Sequence, residues 1–120
     1  MDISTDQSAV LNILFTRAVA SHIPSTTPLI ATVVTPGLCH TGLLRYIDAS
    51  RFAQNLKYAR TAEEGSRQLI WASVGPSKDS GRTPDELRGA FVNHDSIFEP
   101  SPWVRSEEGG KAQERLWVRF

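Results

Sequence analysis

The stretch Leu29-Ile30-Ala31-Thr32-Val33-Val34-Thr35-Pro36-Gly37 determines how this chain is expected to fold. It contains a continuous apolar run between Pro28 and Pro36, without the polar alternation of a strand that has one face in water. Such a run is typical of an interior strand of an α/β sheet, because helices cover both faces of a parallel sheet. We therefore predict a core strand over Leu29 to Val34, followed by a tight turn at Pro36-Gly37.

Helices are predicted on both sides of this strand. Before it, apolar residues recur every four positions and indicate a helix from Gln7 to His22, with capping residues at positions 4–6. After it, Thr61-Ala62-Glu63-Glu64 forms a capping box, which opens a helix that ends at Gly75-Pro76. Helices that flank a buried strand in this way predict an α/β fold.

The remaining segments are predicted to be shorter. We expect an irregular helical segment between Leu43 and Leu56, an exposed loop over Ser77 to Arg88 and a short strand at Gly89 to Val92. A rigid connection at Pro100 to Pro102 and a final helix from Ser106 through Trp117 follow. No repeat and no second domain is visible, so residues 1–120 are predicted to form a single domain.

Composition argues against several classes of function. The chain has 13 basic and 13 acidic side chains, without the concentrated positive charge that nucleic-acid binding requires. Its longest apolar run is too short to span a bilayer, and its acidic start is unlike a secretory signal. The single cysteine, Cys39, permits no internal disulfide, as is usual in a reducing compartment. We therefore expect a cytoplasmic protein that contacts neither nucleic acid nor membrane.

Four segments together resemble the second half of a short-chain dehydrogenase/reductase. They are Ser8 to Arg17 (SAVLNILFTR), the apolar strand with Pro36-Gly37-Leu38-Cys39-His40-Thr41, Ala59 to Arg67 (ARTAEEGSR) and Trp103 to Gly109 (WVRSEEG). The last two look like fungal retinol-dehydrogenase-type members. The resemblance implies a truncated Rossmann-like remnant, with few parallel strands packed by helices. Because its core strand would lack a neighbour on one side, we predict that a homodimer completes the fold.

The resemblance also shows which parts of the family's chemistry are missing. Aligning Leu11-Asn12 with the family pattern puts Thr5 and Ala9 where the catalytic Tyr-x-x-x-Lys pair would be, and neither can replace it. The eight glycines form no Gly-rich turn of the kind that binds a dinucleotide pyrophosphate. We therefore predict that the chain binds no cofactor and does not transfer hydride on its own.

Candidate site residues follow from the same resemblance. It places His40 and Thr41 at the nicotinamide end of the pocket and makes the region from Thr83 to Ser106 part of the substrate wall. Since an imidazole titrates near neutral pH, His40 is a candidate general acid/base, with Asp95 as a second candidate. Residues predicted to contact a small lipophilic ligand are Cys39, Thr41, Phe91, His94 and Trp103.

Simpler interpretations of these residues stay open. His40 could be a solvated loop histidine and Cys39 a small buried filler, while Asn93 to Ser96 has the composition of a surface turn. No metal site is predicted, because the three histidines, His22, His40 and His94, stand far apart and lack partners at zinc-ligand spacing.

Two classes of function are therefore possible. The first is a cofactor-independent enzyme of isomerase, cyclase or lyase type, which uses the former dehydrogenase pocket for general acid/base catalysis. The second is a non-catalytic pseudo-dehydrogenase that binds a partner or ligand, or an incomplete gene model of an NAD(P)-dependent oxidoreductase. Resemblance of fold cannot decide between them, because function belongs to the site. The intact helix caps and apolar periodicities favour the enzyme.

Overall fold

The computed structural model describes residues 7–46, 56–75, 78 and 81–119. The helices are α1 (Gln7–His22), α2 (Ala62–Val74), α3 (Pro102–Arg105) and α4 (Glu107–Val118). The strands are β1 (Val33–Val34), β2 (Cys39–His40), β3 (Arg60–Thr61), β4 (Phe91–Asn93) and β5 (Ser96–Phe98). Short 3₁₀ helices span Gly42–Tyr46 and Pro84–Leu87. The predicted α/β class is confirmed. The predicted caps at positions 4–6 and residues 47–55 of the irregular segment lie outside the described residues.

Two small sheets connect these elements. In the first, β1 runs parallel to β4 and β4 runs antiparallel to β5, so β1 lies at one edge. The backbone N–H groups of Val33 and Thr35 donate to Ala90 and Val92 carbonyls, both at 3.0 Å. In the second sheet, β2 runs parallel to β3, pairing Cys39 with Arg60 and His40 with Thr61. The parallel pairs agree with the predicted α/β arrangement.

The predicted core strand over Leu29 to Val34 is wrong in its extent. Regular pairing covers only Val33 and Val34. Leu29 is 51% exposed, and residues 30–34 are half-buried rather than buried on both faces. The physical reason is the position of β1, because only β4 pairs with it among the described residues. An apolar run identifies a strand, but its burial depends on neighbours that the run does not specify.

The boundaries of the predicted helices are largely confirmed. Helix α1 spans Gln7–His22, as predicted. Helix α2 begins at the predicted capping box, in which Glu64 N donates to Thr61 Oγ1 at 3.1 Å and Thr61 N donates to Glu64 Oε2 at 2.8 Å. Its C-cap is Gly75, with a φ of 82°. Ser106 caps α4, which extends one residue beyond the predicted Trp117.

The core lies between α1, β4 and the C-terminal helices. Its buried cluster consists of Ile13, Leu14, Phe91 and Val104, against which Val10, Val33, Ala112 and Leu116 pack. Helix α1 packs mainly against α4 and also contacts β1. Among the helices of the described ranges, none is long and apolar enough to cross a bilayer.

Three details of the second half differ from the prediction. The loop over Ser77 to Arg88 contains a 3₁₀ helix, whose Leu87 is buried with 3% of its surface exposed. Strand β5 and the short helix α3 were not predicted. Both are too short to show hydrophobic periodicity, and they form where the chain turns back onto β4 and α4.

Candidate functional site

The carboxyl ends of β1 and β4 lie at the same edge of the first sheet, because the two strands run parallel. In open α/β sheets, ligands bind in the crevice outside this edge. After β1 the chain continues through buried Thr35 into Pro36 and Gly37, where Gly37 N donates to Thr35 Oγ1 at 3.2 Å. Gly37 has a φ of 74°, which favours glycine because a side chain is strained there. This turn and the residues after β4 form the candidate site.

Helix α2 approaches the turn closely at Gly65. A Cβ atom on this buried glycine would meet Cys39 Sγ and would lie 3.4 Å from Pro36 Cβ. The Cys39 thiol lies within 3.4 Å of the Pro36 carbonyl oxygen and 3.6 Å of the Gly37 carbonyl oxygen. The structure therefore places Cys39 between α2 and the turn, in a position that suits a small filler.

His40 and Thr41 lie on the exposed side of the same turn. The His40 Nε2 atom is 3.0 Å from the Leu56 carbonyl oxygen. A carbonyl only accepts hydrogen bonds, so this contact assigns the proton of the neutral ring to Nε2 and leaves the Nδ1 lone pair as a possible base. Thr41 Oγ1 accepts a hydrogen bond from Leu43 N at 3.3 Å and thereby begins the following 3₁₀ helix.

The predicted residues after β4 form a tight hairpin turn. His94 and Asp95 have φ values of 50° and 53°, and they connect β4 to β5 as the predicted surface turn. Gln68 of α2, which is 1% exposed, donates from Nε2 to Asp95 Oδ1 at 2.8 Å and accepts from Asp95 N at 2.7 Å. Both ends of the Gln68 amide thus hold the turn against α2. The His94 ring is tilted toward Phe98, with centroids 6.4 Å apart.

His40 and Asp95 therefore have separate partners. The His40 ring is hydrogen-bonded to the Leu56 carbonyl oxygen, whereas the Asp95 carboxylate accepts a hydrogen bond from Gln68. Sequence reasoning missed Gln68, because one glutamine in an amphipathic helix carries no distinguishing signal. It also missed Asn93 at the end of β4, whose Oδ1 is buried and has no donor among the described residues.

The aromatic residues predicted to contact a ligand lie in two different grooves. Phe91 belongs to the core and borders a cavity of about 430 Å³ together with Asn93, Phe98 and Pro100. Trp103, which is 45% exposed, borders a groove of about 600 Å³ between α1 and α4. That groove has an apolar lining with arginines beside it, and its residues include Val10, Leu11, Leu14, Leu116, Arg115 and Arg119.

The starts of helices α2 and α4 do not suit the phosphates of a dinucleotide. The N-terminus of α2, which follows strand β3, is closed by the Glu64 carboxylate, and an acid at that position disfavours a phosphate. Helix α4 begins with Glu107 and Glu108. Within the described ranges, no three His, Cys, Asp or Glu side chains are grouped so that they could hold a metal ion.

Comparison with known proteins identifies relatives of the chain. The short chain dehydrogenase/reductase dmxR8 of Cryptosporiopsis sp. (strain 8999) is 34% identical over 113 residues, which cover 92% of this chain and 32% of the relative. The short-chain dehydrogenase anuD of Penicillium roqueforti (strain FM164) is 36% identical over 119 residues, which cover 92% of this chain and 30% of the relative. The short-chain dehydrogenase/reductase ffsI of Aspergillus flavipes is 36% identical over 86 residues, which cover 68% of this chain and 23% of the relative.

No protein-family model and no solved structure matches the chain. The sequence relatives are nevertheless all short-chain dehydrogenases or short-chain dehydrogenase/reductases, the family that the quoted segments resemble. The chain is therefore a relative of the short-chain dehydrogenases/reductases, and it spans about a third or less of the length of the curated relatives it matches.

Proposed function

We propose that these 120 residues supply the substrate-side portion of a short-chain dehydrogenase/reductase active site. The nucleotide-binding portion would come from a segment outside these residues, because the helix starts described above do not suit the dinucleotide phosphates. One observation carries the proposal: β1 is an edge strand whose carboxyl end leads into the candidate site.

The hydrogen-bond pattern of β1 identifies its free edge. Val33 N and Thr35 N point toward β4 and donate to Ala90 and Val92 carbonyls. Successive residues of a strand point their backbone groups to opposite sides, so Thr32 and Val34 direct theirs to the other edge. In the described ranges no strand pairs there. An apolar edge of this kind accepts another strand readily, and it supports the addition of a segment beside the site.

The apolar helix faces support the same conclusion. On α1, Leu11 and Phe15 are 53% and 40% exposed, and on α2, Ile70 and Val74 are 61% and 76% exposed. Large side chains on successive turns of two helices are more than the scattered exposure that any soluble protein shows. In this proposal, the nucleotide-binding segment covers part of these faces when it pairs with β1.

Fluorescence titration with NADH and NADPH tests the proposal. The chain alone should not bind either nucleotide. A mixture with the remaining portion of the Penicillium roqueforti relative, produced separately, should bind with micromolar affinity. Nucleotide binding by the chain alone would contradict the proposal. So would a mixture that binds neither nucleotide although both of its components are folded.

Two proline variants provide a matched control for the mixing experiment. Val34→Pro removes an N–H group that faces the free edge, so the isolated chain should stay folded while pairing with the added segment is lost. Val33→Pro removes the N–H group that donates to Ala90, so it should unfold the sheet of the isolated chain. Equal effects of the two substitutions on the isolated chain would show that the edge has been assigned wrongly.

A second candidate function is cofactor-independent acid/base catalysis by His40. The specific observation in its favour is the contact with the Leu56 carbonyl, which orients the ring and leaves Nδ1 as a base. In this proposal the chain catalyses an isomerisation, cyclisation or elimination on a small lipophilic metabolite that reaches the exposed His40 ring.

This candidate is tested by screening the chain alone against lipophilic ketones and enols, without any nicotinamide nucleotide. Where turnover is found, His40→Ala should lower kcat by roughly 10²–10⁴-fold, the usual contribution of a general acid/base. His94→Ala is the matched control, because this exposed histidine lies in the hairpin turn. Equal, small effects of the two substitutions, with unchanged melting temperatures, would contradict the assignment.

A further inference from the structure

We propose that a pocket between Arg17 of α1 and Arg88 before β4 is a binding site for a small oxyanion, phosphate or carboxylate. The pocket has a volume of about 280 Å³, and its lining includes Arg17, Ser21, Arg88, Gly89 and Gln113. Arg88 and Gly89 precede β4, so the pocket lies at the amino ends of the parallel strands. It is therefore separate from the candidate site at their carboxyl ends.

The Nε atom of Arg17 is the first observation that points to an anion. This atom is buried and has no hydrogen-bond acceptor among the described residues. Arginine stays charged at all physiological pH values, and a buried N–H donor without an acceptor is costly. Arg17 also lines the adjoining pocket, so a small shift of its side chain would let a negatively charged acceptor there satisfy the Nε–H group.

Arg88 supplies a second positive charge that is already held in place. Its Nη1 donates to the Leu29 carbonyl oxygen at 2.9 Å, and its Nη2 donates to Asp85 Oδ1 at 3.2 Å. The Arg88 side chain is 20% exposed, whereas the Asp85 side chain is 79% exposed, so water screens the acid more than the base. With Arg17, the pocket keeps a positive balance even after Asp85 is counted.

Gly89 keeps the pocket open and α1 close to it. Its φ of 70° disfavours any other residue, and a Cβ atom there would lie 3.1 Å from Ala20 Cβ. The Gln113 side chain adds an amide to the lining. The pocket has room for several water molecules at about 30 Å³ each, so a hydrated phosphate or carboxylate group fits in it. An arginine fork can donate two parallel hydrogen bonds to a pair of carboxylate or phosphate oxygens.

Calorimetric titration of the whole 120-residue chain with inorganic phosphate and with acetate tests this site. Chloride at matched ionic strength controls for general salt effects. Saturable binding of either anion is expected, and the tighter one identifies the preferred ligand. Arg17→Gln and Arg88→Gln should each weaken binding at least tenfold. Arg67→Gln, which removes an exposed arginine that pairs with Glu63 on α2, should leave binding unchanged.

An NMR measurement on the unmutated chain keeps the proposal testable if a variant does not fold. The Arg17 Nε–H resonance should shift saturably with phosphate or acetate, whereas the Arg67 Nε–H resonance should not. Absence of saturable binding of both anions would overturn the proposal. It would also be overturned if Arg67→Gln reduced binding as much as Arg17→Gln.

Discussion

The adjacent glycines at the start of α4 are predicted to respond to alanine in opposite directions. Gly109 is buried where α4 meets α3, and a Cβ atom there would meet the Trp103 carbonyl oxygen and lie 2.7 Å from Val104 O. Gly110, one residue later, has nothing within 4 Å of the same position. Both residues lie in the helix, so alanine improves helix propensity equally at the two sites.

The magnitudes follow from these distances. Alanine in place of an exposed helical glycine gains about 1 kcal/mol, which is the expected effect of Gly110→Ala. In Gly109→Ala the same gain is opposed by contacts with backbone atoms that cannot rotate away, and α3 must move by roughly 0.7 Å before the nearest of them reaches even the lower limit for a Cβ contact. Such overpacking costs about 3 kcal/mol at the upper end of the usual range, so a net loss of about 2 kcal/mol is expected.

Thermal denaturation at one fixed protein concentration measures both variants. At about 4 °C per kcal/mol, Gly110→Ala should melt about 4 °C above the unmutated chain and Gly109→Ala about 8 °C below it. Far-ultraviolet circular dichroism at low temperature checks that each variant is folded. If the two variants melt within about 2 °C of each other, the packing of α3 against Gly109 has been described wrongly.

Three further predictions concern the turn, the α2 cap and assembly. Gln68→Ala should cost about 2–3 kcal/mol in urea denaturation, because it removes both hydrogen bonds between α2 and Asp95, one of them to the carboxylate, whereas Arg67→Ala on the exposed face should cost nothing measurable. Hydrogen bonds from the Thr61 backbone and hydroxyl lower the pKa of Glu64 from 4.5. The stabilisation they give is present above that pH and is lost as the pH falls through the lowered pKa. Glu64→Gln should therefore flatten the pH dependence of the free energy of unfolding in that range. In sedimentation at low micromolar concentration the chain alone should be a two-fold dimer that covers β1 and the exposed helix faces, and a folded monomer would contradict this.

The turn residues show how far sequence reasoning reached into the candidate site. The Pro36-Gly37 turn and the Asn93–Ser96 turn could both be predicted, because glycine, proline, asparagine and aspartate have local backbone preferences. The bonds from Gln68 to Asp95 could not, since the two residues are 27 positions apart in sequence. Sequence patterns report local geometry, whereas this contact depends on how α2 is placed against the hairpin.

The sequence by itself determined the elements with strong local signals. The Thr61 and Ser106 caps, the span of α1 and the glycine after α2 were all predictable, because each depends on hydrogen bonds within a few residues. The relation to short-chain dehydrogenases/reductases could also be predicted, because several segments resemble that family and its members are among the sequence relatives. Only the tertiary structure decided that Leu29 is exposed, that β1 lies at a sheet edge and that Arg17 borders a pocket with Arg88. The physical reason is that burial and pairing are set by neighbours distant in sequence. An apolar run or a single arginine has the same local sequence whether or not those neighbours are present.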